Sequence, residues 1–429
     1  MRTLYTLVMY LLTPVILYRL SVRGLRARAY FGRWKERFGF IPDPGFDHCI
    51  WVHAVSVGEF NAALPLIRKL MAHYPDSPFV VTTVTPTGSD QVIKALGDSV
   101  YHVYLPYDLP AAVERFLDRV RPRIGVVMET EIWPNLFCCC RDRNIPIVVA
   151  NARLSERSLK GYRPVQSLAA MALNCATSVA AQTGTDRDRL LKLGGRPEIL
   201  HVVGSLKFDL DLAPDLASNG QALRESWGAD RFVIVAASTH EDDEIPVMEA
   251  FQAILQQDPR VLLVLAPRHP ERFARTSTRC RSLGYRTATR SEDGNPGPET
   301  QCFVLDTLGE LMGYYAAADI AFVGGSLAMV GGHNVLEPAS LGVPVVVGPH
   351  TFNFSEITEL LLNRGGAIRV NDAAELARAW QQLQADPDLR GRMGQAAKDL
   401  VVEKRGAVER TIQLVQDAYG LSGRPDRPG

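Results

Sequence analysis

Between Asp319 and His350 the chain reads DIAFVGGSLAMVGGHNVLEPASLGVPVVVGPH. The apolar run Ile320 to Val323 has the length of a buried strand. Gly324, Gly325 and Ser326 follow, then Gly331 and Gly332. The spacing next predicts a helix from His333 to Leu341, ended by Gly342 and Pro344, and a second strand over Val345 to Val347. Strand, glycine loop, helix and strand make a parallel βαβ unit. Such a unit commits the chain to an α/β fold, because parallel strands need helical crossovers over their faces. Glycines let the backbone approach a ligand, and a helix N-terminus offers N–H groups to an anion. Glu337, one turn into the predicted helix, is placed to accept hydrogen bonds from a ribose diol. A tight turn with no ligand would carry the same glycines, so the stretch takes its meaning from context.

The context is the same pattern repeated. Ile50 to Val52, Phe79 to Val84, Val100 to Leu105, Ile124 to Met128, Ile147 to Ala150, Ser178 to Ala181 and Ile199 to Val203 read as strands. Asn61 to His73, Gly88 to Leu96, Ala111 to Val120 and Asn135 to Arg143 read as helices between them. Asp211 to Gly220 loses periodicity and collects Asp, Pro, Ser, Asn and Gly, the marks of a linker. Strands resume at Phe232 to Ala237, Val261 to Ala266 and Cys302 to Leu305. Arg281 to Pro298 is polar and reads as peripheral. Helices are expected from the 238–244 loop to near Gln257, from Asp306 to about Ala318, over Ser355 to Leu362, over Ala373 to Gln384 and on to about Tyr419. Leu421 to Gly429 is expected to fray. The predicted domains are 25–212 and 213–429, behind an anchor at 1–24.

That anchor is read from Thr3 to Tyr18, which carries no charge and is mostly apolar. Arg19, Arg23, Arg26, Arg28, Arg33, Lys35 and Arg37 follow, with only Glu36 against them. An apolar segment followed by a basic cluster predicts an uncleaved membrane anchor with the body on the cytoplasmic side. Pro14, Tyr5, Tyr10 and Tyr18 suit a shallow helix equally well. The 429 residues have zero formal net charge and no long charged block, which argues against nucleic acid as a partner. The seven cysteines show no CxxC or Cys/His metal spacing, so a reduced compartment without structural zinc is expected.

The βα loops hold the chemistry-bearing residues, as parallel sheets dictate. After the first strand comes His53-Ala54-Val55-Ser56-Val57-Gly58-Glu59. Glu59 falls in the first turn of a helix, where the dipole favours its ionised form, and a carboxylate there is a candidate general base for a hydroxyl. Glu129-Thr130-Glu131-Ile132-Trp133 follows the fourth strand and suits polyol hydroxyls or a cationic transition state. Arg153 suits a carboxylate or phosphate. Lys207 is placed to balance negative charge, unless it is simply solvated. In the second half Ser238 or Thr239 is expected to cap a helix with acids in its first turn. Arg268 is a candidate phosphate clamp and His269 a donor or stacking partner.

Seven segments in order carry a resemblance over nearly the whole chain: HAVSVGEFN (His53 to Asn61), ETEIWPN (Glu129 to Asn135), NARLS (Asn151 to Ser155), GSLKFD (Gly204 to Asp209), APRHPER (Ala266 to Arg272), DTLGEL (Asp306 to Leu311) and GGHNVLEP (Gly331 to Pro338). Together they resemble the 3-deoxy-D-manno-octulosonic acid (Kdo) transferases of lipopolysaccharide synthesis. Val55 stands where the commonest family form has another small residue. The resemblance implies a GT-B type glycosyltransferase, with two Rossmann-like domains facing a central cleft. It implies inverting transfer of Kdo from CMP-Kdo to the 6′-hydroxyl of a tetra-acylated lipid A precursor, at the cytoplasmic face of the inner membrane. It makes Glu59 the base and Glu129 and Lys207 stabilisers of the transition state. CMP would be held by Arg268 and His269, by Gly309, Glu310 and Leu311, and by Asn334, Val335, Leu336 and Glu337. The chain shows no metal-binding aspartate pair at a cleft loop, so no metal and no cofactor are expected. A sugar-nucleotide epimerase or hydrolase, a UDP-sugar-dependent membrane transferase and a non-catalytic binding protein are the competing readings.

Overall fold

The computed structural model describes residues 1–26 and 28–421. The expected fraying at 422–429 lies outside the described residues, as does the Arg26 side chain. The chain forms two compact units: Met1–Asp209 with the chain from Arg405 onward, and Leu210–Lys404.

The first unit is built on seven strands: β1 (Cys49–His53), β2 (Phe79–Thr83), β3 (Tyr101–Tyr104), β4 (Pro122–Met128), β5 (Ile147–Ala152), β6 (Ser178–Ala181) and β7 (Leu200–Val202). They lie in the order β3-β2-β1-β4-β5-β6-β7, and every pair is parallel. The winding reverses between β1 and β4, which opens a crevice beyond their carboxyl ends. The strands read as unbroken apolar runs because helices cover both faces. Trp51, Phe116 and Phe137 fill one face, and Phe60 and Leu66 the other.

The second unit repeats the plan with β8 (Val233–Thr239), β9 (Leu262–Pro267), β10 (Thr287–Thr289), β11 (Cys302–Val304), β12 (Ile320–Val323), β13 (Val345–Val347) and β14 (Ala367–Arg369). Their order is β10-β11-β9-β8-β12-β13-β14, again all parallel. Its switch point falls between β8 and β12. Phe251, Phe322 and Trp380 pack one face, and Trp227, Phe303 and Tyr314 the other.

Four expectations need correction. The second domain does not run to 429. The last helix, Ala407–Leu421, buries Val408, Ile412 and Val415 in the first unit's core with Val52, Ile124 and Val148. Asp209 anchors its start by accepting the N–H groups of Gly406 (2.6 Å) and Val408 (2.9 Å). The expected linker is shorter, because a helix, Leu216–Trp227, begins within it. The polar 281–298 segment carries an edge strand, β10, paired with β11. Finally, the basic cluster divides. Arg33 bonds Glu36 and the His102 carbonyl, and buried Arg37 donates to the Val84 carbonyl. Arg19, Arg23, Arg28 and Lys35 are exposed.

Candidate active site

In the first unit three carboxylates gather at the switch point. Helix α2 (Val57–His73) starts directly after β1, with Ser56 as its cap, so Glu59 falls in its first turn. The Glu59 carboxylate folds back to accept the Val55 N–H at 2.8 Å and the Ser56 hydroxyl at 3.3 Å. Glu129 directly follows β4, the strand beside β1, and holds a left-handed backbone (φ 55°). Backbone strain of this kind costs of order 1–3 kcal/mol and collects at functional sites. Glu131 follows, accepting the Trp133 indole N–H at 3.1 Å.

This geometry overturns the expectation that the helix dipole keeps Glu59 readily ionised. Burial pushes its pKa up, and the negative charges of Glu129 and Glu131 add to that. The Val55 N–H opposes them, and the result is about 7. Burial likewise raises Glu131. Desolvation and like charge win over one backbone N–H and the dipole.

Lys207 sits on a short turn, Leu206–Phe208, that packs against α2. Asn151, also left-handed (φ 57°) at the end of β5, fixes that turn by accepting the Leu206 N–H at 3.1 Å. Arg153 is exposed, and its carbonyl accepts the Thr130 hydroxyl.

In the second unit the organising residue is Asp243, in the first turn of helix Glu241–Leu255. Its buried carboxylate accepts four N–H groups: His240 (2.9 Å), Gly325 (2.7 Å), Leu327 (3.0 Å) and Ala328 (2.8 Å). The glycine loop after β12 is thereby tied to the loop after β8. A Cβ on Gly324 would stand 2.6 Å from the Ser238 carbonyl oxygen, so only glycine allows the two loops this approach. Against the loop lie three imidazoles. His240 and His333 face each other through Nε2 atoms 2.9 Å apart, and His269 meets His240 edge-on at 5.3 Å. Burial pushes His333 down to about 4 and lowers His240, which keeps both rings neutral at physiological pH.

Arg268 follows β9 and is exposed, and its charge partly offsets the burial that raises Glu337. Asn334 donates to Glu337 Oε1 at 3.0 Å and accepts the Leu336 N–H at 3.1 Å. The expected helix from His333 is shorter than predicted, covering only Leu336–Ser340. Val335 and Leu336 are buried, so only their main chain is available to a ligand. Gly309, at φ 96°, begins the turn into helix Leu311–Ala316, after β11 and beside β9. Glu310 pairs with Arg290 at 2.8 Å and accepts the Thr307 hydroxyl at 2.6 Å. Among the described residues, no group of three His, Cys, Asp or Glu is placed to hold a metal ion.

The candidates thus fall into two sets, Glu59, Glu129 and Lys207 in the first unit and the remaining nine in the second. Glu131, read in the sequence together with Glu129, joins the first set, and Asp243, His240 and His333 lie in the second unit's loops without having been predicted as site residues. The signal for His240 and Asp243 was their place in a strand-to-helix loop, and for His333 its glycine neighbours.

Two parallel α/β units, each with polar loops at its switch point, have the architecture of the GT-B fold. The glycosyl transferases group 1 family model matches residues 230–400. The UDP-GlcNAc 2-epimerase of Neisseria meningitidis, solved with UDP-GlcNAc, covers 86% of this chain and 100% of its own with a TM-score of 0.56. At 15% identity it speaks for the fold alone. Residues 32–210 match the family model for 3-deoxy-D-manno-octulosonic-acid transferase. The chain is 40% identical to the 3-deoxy-D-manno-octulosonic acid transferase of Haemophilus influenzae, over 97% of this chain and 98% of that one. It is 38% identical to that of Bordetella pertussis, over 94% and 99%. The chain belongs to the 3-deoxy-D-manno-octulosonic acid transferase family.

Replacing Asp243 by Ala leaves buried N–H groups unpaired, at about 1–3 kcal/mol each. Hydrogen exchange at Gly325, Leu327 and Ala328 is expected to lose protection in Asp243→Ala, while the β1–β7 sheet keeps its own. Unchanged exchange at those three amides would show that the loop does not depend on Asp243.

Proposed function

We propose that this chain transfers Kdo from CMP-Kdo to the 6′-hydroxyl of a tetra-acylated lipid A precursor, with inversion and without a metal. Family membership supports the sugar and the reaction class. The observation that carries the mechanism is Glu59, a half-buried carboxylate at a switch point whose pKa of about 7 suits proton transfer near neutral pH. In this reading Glu59 takes the proton of the acceptor hydroxyl as its oxygen attacks the ketosidic carbon. The bond from that carbon to the CMP phosphate oxygen breaks, and CMP leaves with the electron pair. The reacting carbon passes through an oxocarbenium-like state. The negative charge of Glu129 favours that cation, and Lys207 balances the donor's negative charge.

The donor is assigned to the second unit. Arg268 meets the phosphate and His269 its neighbourhood. Glu337 receives the ribose hydroxyls, held in place by Asn334. The main chain at Gly309, Glu310 and Leu311 and at Val335 and Leu336 completes the site. With Glu337 buried and set between Asn334 and Arg268, hydroxyl donors stabilise its ionised form. The enzyme is assigned to the cytoplasmic face of the inner membrane, where such a lipid is reached. Among the described residues one helix, Arg2–Leu25, is long and apolar enough to cross a membrane.

Membranes containing the chain, supplied with the lipid A precursor and CMP-Kdo, are expected to yield a lipid heavier by one or more Kdo residues. Excess EDTA is expected to leave turnover unchanged. CMP release without a heavier lipid would point to hydrolysis, and an EDTA loss restored by magnesium would overturn the metal-free mechanism. The pH dependence follows from Glu59. A base with a pKa near 7 is inactive when protonated, so kcat/KM should rise as pH passes upward through about 7. Removing a neighbouring negative charge in Glu131→Gln should move that midpoint to lower pH. An unmoved midpoint would assign the titration to another group.

A further inference from the structure

The N-terminal helix α1, Arg2–Arg26, has two unlike faces. Tyr5, Met9, Thr13, Ile16, Leu20 and Gly24 recur at steps of three or four and are partly or fully covered. That spacing is one stripe of an α-helix, and here it runs from the first turn to the last. Leu4, Leu7, Leu11, Val15 and Tyr18 stand on other positions, 48–70% exposed. No charged residue interrupts the helix between Thr3 and Tyr18.

The covered stripe is bound to the first unit at both ends. In the first turn Arg2 pairs with Asp142 at 2.9 Å, and the Tyr5 hydroxyl donates to Asp108 at 2.9 Å. Thr6 and Arg2 both donate to the Asn135 side-chain oxygen, at 2.9 and 3.3 Å. Asp108 is buried and also accepts the N–H groups of Asn135 and Leu136, so this is a built polar joint. Midway, Thr13 and Leu17 line a groove of about 480 Å³ with Phe38 and Leu109. At the far end Leu20 is buried, and the Phe31 ring covers Gly24, 2.6 Å from where a Cβ would stand.

A helix crossing the bilayer would carry its first turn through about 30 Å of hydrocarbon to the opposite side. Crossing would break the Arg2–Asp142 pair and strip Tyr5 from Asp108. An apolar face lying flat keeps every one of these bonds. Phe31, Trp34 and Phe40 extend the exposed apolar surface just beyond α1. Arg19, Arg23, Arg28 and Lys35, close in sequence to this surface, are exposed and available to anionic headgroups.

We propose that α1 does not cross the membrane but lies in the plane of one leaflet, clamped along the first unit, with both of its ends on the side of the protein body. The inference rests on the membrane location proposed above, and its test reads topology and partitioning, so a failure of the transfer reaction would leave it standing.

The test uses the full chain in a bacterial inner membrane, with a protease-cleavable epitope fused ahead of Met1. Protease is expected to remove the epitope in inverted vesicles, whose cytoplasmic face is outward, and to leave it intact in spheroplasts. Removal in spheroplasts would mean a crossing helix and overturn the proposal. Leu7→Glu with Leu11→Glu alters only exposed positions. It is expected to raise the soluble fraction at least tenfold with the circular dichroism spectrum unchanged. A folded double variant that stays fully membrane-bound would overturn the leaflet assignment, as would a soluble unaltered chain.

Discussion

A single buried carboxylate gives the second unit its working shape. Asp243 replaces water at four N–H groups, three of them in the loop after β12. A glycine loop left to itself has large conformational entropy, and its amides would otherwise be orphaned. Four charge-assisted bonds offset that entropy and hold the loop against the loop after β8. His240 and His333 come from those two loops, and their contact at 2.9 Å depends on the same clamp. The Asn334–Glu337 segment follows directly, so the clamp sets its origin too.

The first unit solves a different electrostatic problem. Three carboxylates share one switch point, and burial, with neighbouring negative charge added, raises Glu59 and Glu131. The structure accommodates them with a backbone N–H and a hydroxyl on Glu59 and an indole on Glu131. What results is one carboxyl group whose pKa of about 7 lies far above that of a free side chain. The left-handed residues Glu129 and Asn151 lie at the ends of adjacent strands, where the chain must turn sharply to present polar groups beyond the sheet.

Much of this was legible in the sequence because burial writes simply. Strands covered on both faces become apolar runs, and the runs at 50–52, 124–128 and 320–323 all lie within observed strands. The loops between them also named Glu59, Glu129 and Arg268 as polar residues beyond strand ends. Non-local facts were not legible. Periodicity shows that the last helix has an apolar stripe around Val408, Ile412 and Val415, but not which sheet receives it. Strands β10 and β14 are short edge strands that carry polar residues and bury one position each, so they leave no apolar run in the sequence. The dipole argument for Glu59 used only its own helix, whereas its protonation is decided by burial and by acids 70 or more residues away. His240 and His333 meet across a separation of 93 residues.

The central claim is that Glu59 takes the acceptor's proton, and Glu59→Gln tests it most directly because the amide keeps the size and loses the basicity. Donor binding and transfer should be measured on the same preparation, binding by CMP-Kdo titration and transfer by single turnover with the lipid acceptor. The account predicts CMP-Kdo affinity within about threefold of the parent and transfer slowed by the 10²–10⁴-fold typical of a lost general base. Transfer near the parent rate, with its rise through pH 7 intact, would contradict it and move the base to another residue.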